Sequence, residues 1–169
     1  MKLPPRSVFK VRLPAWWVMA LLACGAGALF SEAGESPASV PSPADPWTEK
    51  QLVEPAELAE ILGDASRKPP TLLDIGVASW IRGGVIKDSI VIGPGNDPQS
   101  LEKLRDAVSA MPKDADLVIY CGCCPFKDCP NIRPAFKQLQ DLKFTRVRLL
   151  NLPKNFKTDW VNRGYPTEK

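Results

Sequence analysis

The cysteines of this chain are concentrated in one short segment. Four of the five fall between Cys121 and Cys129, inside the stretch LVIYCGCCPFKDCPNIR that runs from Leu117 to Arg133. A thiolate is a strong nucleophile and a ligand for soft metals, and neighbouring thiols can also pair as disulfides. This segment therefore has the residue types for nucleophilic sulfur chemistry, for redox chemistry or for metal binding.

The elements around Cys121 favour the nucleophilic role. The apolar run Leu117–Tyr120 predicts a buried strand, and a helix is predicted over 134–142, after a loop that holds Gly122 and Asn131. A thiol at the carboxyl end of a strand, facing a helix N-terminus, lies where α/β folds place their active sites. Backbone N–H groups and the helix dipole there lower a thiol pKa. The alternative is that Cys121 is an inert buried cysteine at a strand end.

The N-terminal residues predict export. Residues 1–33 combine a basic start with an apolar run from Ala15 to about Phe30, which is typical of a secretory signal peptide and falls short of the roughly 20 residues of a spanning helix. The stretch Leu21–Cys24 resembles a lipoprotein box, so lipid attachment to Cys24 is an alternative, as is an uncleaved anchor. We predict a periplasmic or secreted protein that meets a membrane only through this leader or a lipid on Cys24.

The composition excludes several functions. The formal charge is +3, and residues 1–33 hold four bases and one acid, so the rest of the chain is formally neutral. Such a chain offers no electrostatic surface for nucleic acid. It has no histidine, which excludes imidazole catalysis and histidine metal ligation. We predict a monomer without a cofactor.

The remaining sequence predicts a linker and one domain. Residues 34–47 are rich in proline and serine and predict a disordered linker, and 48–169 form the domain. Helices are expected over 53–62 and 134–142 and in a second segment that Ser100 caps, with a closing turn from Phe156 to Val161. Strands are expected at 71–75, 85–86, 89–92, 117–120 and 147–150. This alternation predicts an α/β fold with a mostly parallel sheet covered by helices on both faces.

Several motifs in this order resemble a single rhodanese-like domain. They are Leu73-Asp74-Ile75, Gly84-Val85-Ile86, the strand that ends at Cys121 with its loop and helix, Trp160, and Gly164-Tyr165-Pro166. The resemblance covers about Thr48 to Glu168. It implies a three-layer α/β fold and a sulfurtransferase in which Cys121 carries sulfane sulfur as a persulfide. The partners would be a small sulfur donor, such as thiosulfate or a persulfide, and a thiol acceptor.

Two positions and one loop depart from the family pattern. Gly76 stands where an arginine often follows the Asp-hydrophobic pair, and Val85 stands where the family has histidine. The loop after Cys121 is longer than usual and holds three further cysteines.

Four other residues are candidates for the predicted site, and two of them have a second possible role. A thiolate and a persulfide are both anions, so they need backbone N–H donors and nearby positive charge. Gly122, Lys127 and Arg133 are the candidates for these contacts. Asp74 is expected either to orient the loop or only to cap a turn, and Lys127 can equally be a solvated loop residue.

Cys123, Cys124 and Cys129 leave three interpretations open. They can form a disulfide that staples the loop, act as redox or relay partners of Cys121, or join it in a Cu(I) or zinc site. The sequence thus predicts a sulfurtransferase or thiol redox protein. The alternatives are a soft-metal binding module and a disulfide-stapled interaction domain.

Overall fold

A five-stranded parallel sheet forms the centre of the fold. The computed structural model describes residues 45–77 and 84–169, so the predicted signal peptide, Cys24 and most of the linker lie outside the described residues. The strands are β1 (Leu52–Val53), β2 (Thr71–Asp74), β3 (Val85–Ile86), β4 (Ile90–Val91), β5 (Leu117–Tyr120), β6 (Val147–Leu150) and β7 (Thr167–Glu168). The helices are α1 (Pro55–Gly63), α2 (Pro98–Val108), α3 (Ile132–Asp141) and α4 (Phe156–Asp159). Among the described helices, none has the length and apolar character needed to cross a membrane.

The sheet has the order β1-β6-β5-β2-β4, and every pair in it is parallel. All four residues of the central strand β5 are buried, as expected for a strand covered on both faces. The predicted α/β class with a mostly parallel sheet is confirmed.

Alternate residues of the strands contribute their side chains to two separate hydrophobic cores, one on each face of the sheet. On one face, Leu73 and Ile119 pack with buried side chains of α2 and α3. On the other face, Leu72 and Val118 pack with Leu58 of α1 and with side chains in and just after α4. The period-two alternation of the strands thus positions helices on both faces.

The carboxyl-terminal residues close the second face. β7 pairs antiparallel with β3, with Val85 opposite Glu168. The Trp160 indole N–H donates to the carbonyl of Pro166 at 2.9 Å, and the Trp160 side chain is fully buried. Trp160 is therefore a core residue.

Several element boundaries differ from the prediction, and three of the differences concern the starts of helices. Val53, the predicted first residue of the first helix, instead forms an edge strand with Leu52, and the helix begins at Pro55, where proline fits the first turn. The cap of α2 is Asp97, whose carboxylate accepts from the Ser100 amide at 3.0 Å, so the prediction of Ser100 as the cap was wrong. Helix α3 starts at Ile132, two residues before Pro134.

Residues assigned to the linker pack on the domain. The Trp47 ring lies 5.4 Å from the ring of Phe126 and 5.6 Å from that of Phe136, centre to centre. Asp45 forms an ion pair with Arg133. The packed part of the chain therefore begins before Thr48, and its first residues contact the segment that follows Cys121.

Candidate active site

Cys121 and Asp74 lie at the same edge of the sheet. Asp74 is the last residue of β2 and is paired in register with Tyr120, the last residue of β5, so Cys121 follows directly. Both side chains are buried, Asp74 completely and Cys121 with 3% exposed. A Cβ atom placed on Gly76 would lie 3.1 Å from Asp74 Oδ1 and 3.6 Å from Cys121 Sγ. The absence of a side chain at position 76 leaves the space between these two groups free.

Hydrogen bonds from distant elements fix the cysteine loop, which runs from Cys121 to Asn131. The Gly122 carbonyl accepts from the Phe156 amide at 3.1 Å, and the Phe126 amide donates to the Leu152 carbonyl at 2.9 Å. A Cβ atom on Gly122 would lie 2.5 Å from that of Phe156. Gly122 is therefore needed because α4 approaches the loop so closely.

The four loop sulfurs form one cluster. Cys121 Sγ and Cys123 Sγ are 3.1 Å apart, and Cys123 Sγ and Cys124 Sγ are 3.3 Å apart. All four Sγ atoms, including that of the buried Cys129, lie within 4.8 Å of one another. The four cysteines are free thiols in the structure, so a disulfide staple stays one of the three interpretations of the loop cysteines.

Asn131 is a site residue that the sequence analysis did not single out. It occupies the N-cap position of α3, yet its side chain makes no capping bond. Instead its Nδ2 donates to Cys121 Sγ at 3.3 Å, and its Oδ1 accepts from the Asn96 amide at 3.3 Å. An asparagine three residues before the predicted start of the helix was the available signal.

These donors stabilise a thiolate at Cys121. A hydrogen bond from the Cys129 thiol is the largest cause, and bonds from Asn131 and Cys123 add to it, so the pKa of Cys121 falls to about 5 although burial opposes the shift. The same contacts raise the pKa of Cys129, and burial together with these contacts raises that of Cys123. The cluster therefore holds one negative charge on Cys121, with neighbouring thiols as proton donors.

The two predicted cations do not contact the sulfurs. The Arg133 guanidinium donates to the carbonyls of Cys129 and Lys127 and pairs with Asp45, so it holds the loop backbone. The Lys127 side chain is exposed at the loop tip. Within the described ranges, hydrogen-bond donors rather than a basic side chain stabilise the anion.

Structural comparison identifies the fold. The NMR structure of a rhodanese-like domain from Anabaena sp. is similar over 70% of this chain and 78% of that chain, with 22% identity and a TM-score of 0.50. The chain has a rhodanese-like fold. A rhodanese-like domain protein from Staphylococcus aureus is similar over 70% of this chain and 99% of that chain, with 15% identity and a TM-score of 0.43. No protein-family model and no curated protein matches the sequence.

The ionisation of Cys121 gives this domain of rhodanese-like fold a measurable reactivity profile. Because its pKa is about 5, Cys121 is almost fully thiolate from pH 6.5 upward. We expect its rate of iodoacetamide labelling to change less than about twofold between pH 6.5 and 8, whereas glutathione gains about tenfold per pH unit there. Peptide mapping after brief labelling measures both the rate and the site. A steep rise at Cys121 over this interval would contradict the assignment.

Asp74 adds a second buried ionisable group. Its Oδ1 accepts from the Gly76 amide at 2.8 Å, which is a turn-capping contact, and its Oδ2 has no hydrogen-bond partner among the described residues. Burial raises the pKa of Asp74 from 3.8 to about 6, the Gly76 amide opposes the rise, and the Cys121 thiolate adds to it. Compared with the unfolded chain, the folded protein therefore favours the neutral form of this carboxyl.

This shift predicts a pH-dependent effect of Asp74→Asn. The raised pKa of Asp74 contributes stability below about pH 4 that is lost as the pH rises through about 6. We expect the variant to gain about 1–3 kcal/mol of unfolding free energy relative to wild type at pH 7.5, and much less at pH 4. Urea unfolding with reductant at both pH values measures this, with the exposed Asp106→Asn as the matched control. An equal difference at the two pH values would contradict the prediction.

Proposed function

We propose that the protein is an exported thiol sulfurtransferase or thiol redox protein that carries sulfane sulfur as a persulfide on Cys121. The observation that supports this most directly is the placement of Cys121 in a rhodanese-like fold. It follows the central strand, its pKa is about 5, and Asn131 and neighbouring thiols donate to its sulfur. A buried thiolate stabilised by donors is an activated nucleophile.

The loading step follows from this chemistry. With thiosulfate as donor, the Cys121 thiolate attacks the outer sulfur, the bond from that sulfur to the sulfite group breaks, and sulfite leaves with the electron pair. The product is a Cys121 persulfide anion, whose charge again needs hydrogen-bond donors. Asn131 Nδ2, 3.3 Å from Cys121 Sγ and 3.9 Å from Cys123 Sγ, is a candidate donor for that charge.

Mass spectrometry of the reduced full chain tests the proposal. After brief treatment with thiosulfate, or with glutathione persulfide in a parallel sample, we expect a mass increase of one sulfur atom on the peptide that contains Cys121, or an equivalent amount of released sulfide. The absence of both added sulfur and released sulfide with both donors would refute the sulfurtransferase assignment. Sulfur retained only on another cysteine would identify that cysteine as the sulfur carrier.

Export is the second part of the proposal, and it rests on the basic and apolar residues of 1–33. We expect protein from the periplasmic fraction to begin near Gly34. Its intact mass decides this. A diacylglyceryl group on Cys24 would establish the lipoprotein form instead.

A soft-metal site is the second candidate function, because the four sulfurs already lie within 4.8 Å of one another. Tetrahedral zinc with thiolate ligands at 2.3 Å needs sulfurs about 3.8 Å apart, so small side-chain rotations would suffice. Binding of one equivalent of Zn²⁺ or Cu(I) to the reduced chain in competition with a chelator, together with no sulfur loading, would favour this function. Both functions need Cys121, so a bound metal would block the persulfide.

A further inference from the structure

The sulfur cluster contains a second thiol in direct contact with the nucleophile. Cys123 Sγ lies 3.1 Å from Cys121 Sγ, and a single residue, Gly122, separates the two cysteines. A disulfide needs a sulfur separation of about 2.05 Å, which a movement of about 1 Å would provide. Gly122 has no side chain to restrict the ring that such a disulfide would close.

Cys121 is less accessible to an external thiol than to Cys123. Its side chain is only 3% exposed, whereas Cys123 and Cys124 are partly exposed. An external thiol must reach an almost fully buried sulfur, but Cys123 already touches it. Thiol–disulfide exchange depends on this access as well as on the ionisation of the attacking thiol.

We propose that Cys123 resolves the Cys121 persulfide and that the protein thereby reduces sulfane sulfur to hydrosulfide. This inference rests on the proposed persulfide function and names its product. The Cys123 sulfur bonds to the inner sulfur, Cys121 Sγ, and the bond between the inner and outer sulfurs breaks. The Cys123 proton passes to the outer sulfur, which leaves as HS⁻.

The step balances without an external oxidant. A persulfide anion and a thiol become a Cys121–Cys123 disulfide and HS⁻, so the outer sulfur gains two electrons and the two cysteine sulfurs lose one each. A dithiol reductant then returns both cysteines to thiols and ends the cycle as a disulfide. The reactions that supply and regenerate this protein must therefore provide sulfane sulfur and a dithiol.

Cys124 and Cys129 are less suited to this step. Among the described sulfur contacts, Cys124 Sγ contacts Cys123 Sγ at 3.3 Å and not Cys121 Sγ, which is the sulfur that the resolving thiol must reach. Cys129 is fully buried, and its thiol stabilises the charge on the Cys121 sulfur, which lies within 4.8 Å. The geometry therefore favours Cys123 as the resolving thiol.

A single-turnover experiment on the reduced full chain tests the inference. The chain is treated anaerobically with thiosulfate or glutathione persulfide, the donor is removed by rapid gel filtration, and sulfide and peptide masses are followed. We expect wild type to release about one equivalent of sulfide per loaded chain and to end as a Cys121–Cys123 disulfide. Cys123→Ser should keep its persulfide and release sulfide at least tenfold more slowly.

The variants separate this inference from the proposed function. If neither wild type nor Cys123→Ser gains sulfur or releases sulfide with either donor, the carrier function is refuted, and the resolving step with it. A wild type that loads sulfur but neither releases sulfide nor forms the disulfide would overturn the resolving step alone. The same slowing in Cys124→Ser or Cys129→Ser, with a disulfide to that cysteine, would assign the step to another thiol and also overturn the inference.

Discussion

Cys121→Ser should reduce sulfur transfer to the uncatalysed background. A serine hydroxyl is not ionised near neutral pH and is a far weaker nucleophile than a thiolate with a pKa of about 5. We expect no thiocyanate above background when thiosulfate or a persulfide is supplied with cyanide, and no persulfide in single turnover. Activity assays and intact mass measure the two effects.

Two comparisons make this result interpretable. The variant keeps a small polar side chain at a buried position, so its unfolding free energy should stay within about 2 kcal/mol of wild type. A protein in which Cys123, Cys124 and Cys129 are all serine should still gain sulfur on Cys121, more slowly, because their thiols support the thiolate. Sulfur transfer that survives Cys121→Ser would require a different nucleophile.

Asn131→Asp should have the second largest effect. The substitution keeps an oxygen that can accept from the Asn96 amide, but it replaces the amide donor to Cys121 Sγ with a carboxylate oxygen. A like charge at this distance raises a pKa by about 1–3 units, and the lost hydrogen bond adds to the rise. We expect loading at pH 6 to fall at least tenfold, with much of the loss recovered at pH 9.

The pH profile is the decisive measurement for Asn131. The rate of persulfide formation and the ultraviolet absorbance of the thiolate should both shift to higher pH. Asn131→Ala, which removes the donor without adding a charge, should shift them less. A profile identical to wild type in the aspartate variant would show that Asn131 does not set the ionisation of Cys121.

The sequence was sufficient to predict those elements whose structure depends on local patterns. The apolar run before Cys121 predicted β5, because a short β-branched segment bounded by turn residues has few other conformations. The two-residue strands β1 and β7 could not be predicted in this way. Each exists because of a partner far along the chain, β6 for the first and β3 for the second.

The site was predictable in its residue types but not in its contacts. Cys121 and its neighbouring thiols are evident from spacing, and their mutual distances depend on how α4 and Leu152 hold the loop. Asn131 was predicted only as a loop residue, but its oxygen accepts from Asn96 in the loop after β4, and its amide donates to the Cys121 sulfur. Arg133 looked like an anion ligand, yet nearby carbonyls and Asp45 bind it.

The strand order also determines when the sheet can be completed. β1 pairs only with β6 in the sheet, with Leu52 opposite Leu149, so almost the whole domain must be synthesised before this edge forms. Parallel pairings of such high sequence separation fold slowly, because a long loop must close first. The loop cysteines precede β6 in the chain, so they are synthesised before this edge can form. We therefore expect oxidation of the nascent chain to affect which sulfurs reach the site as thiols.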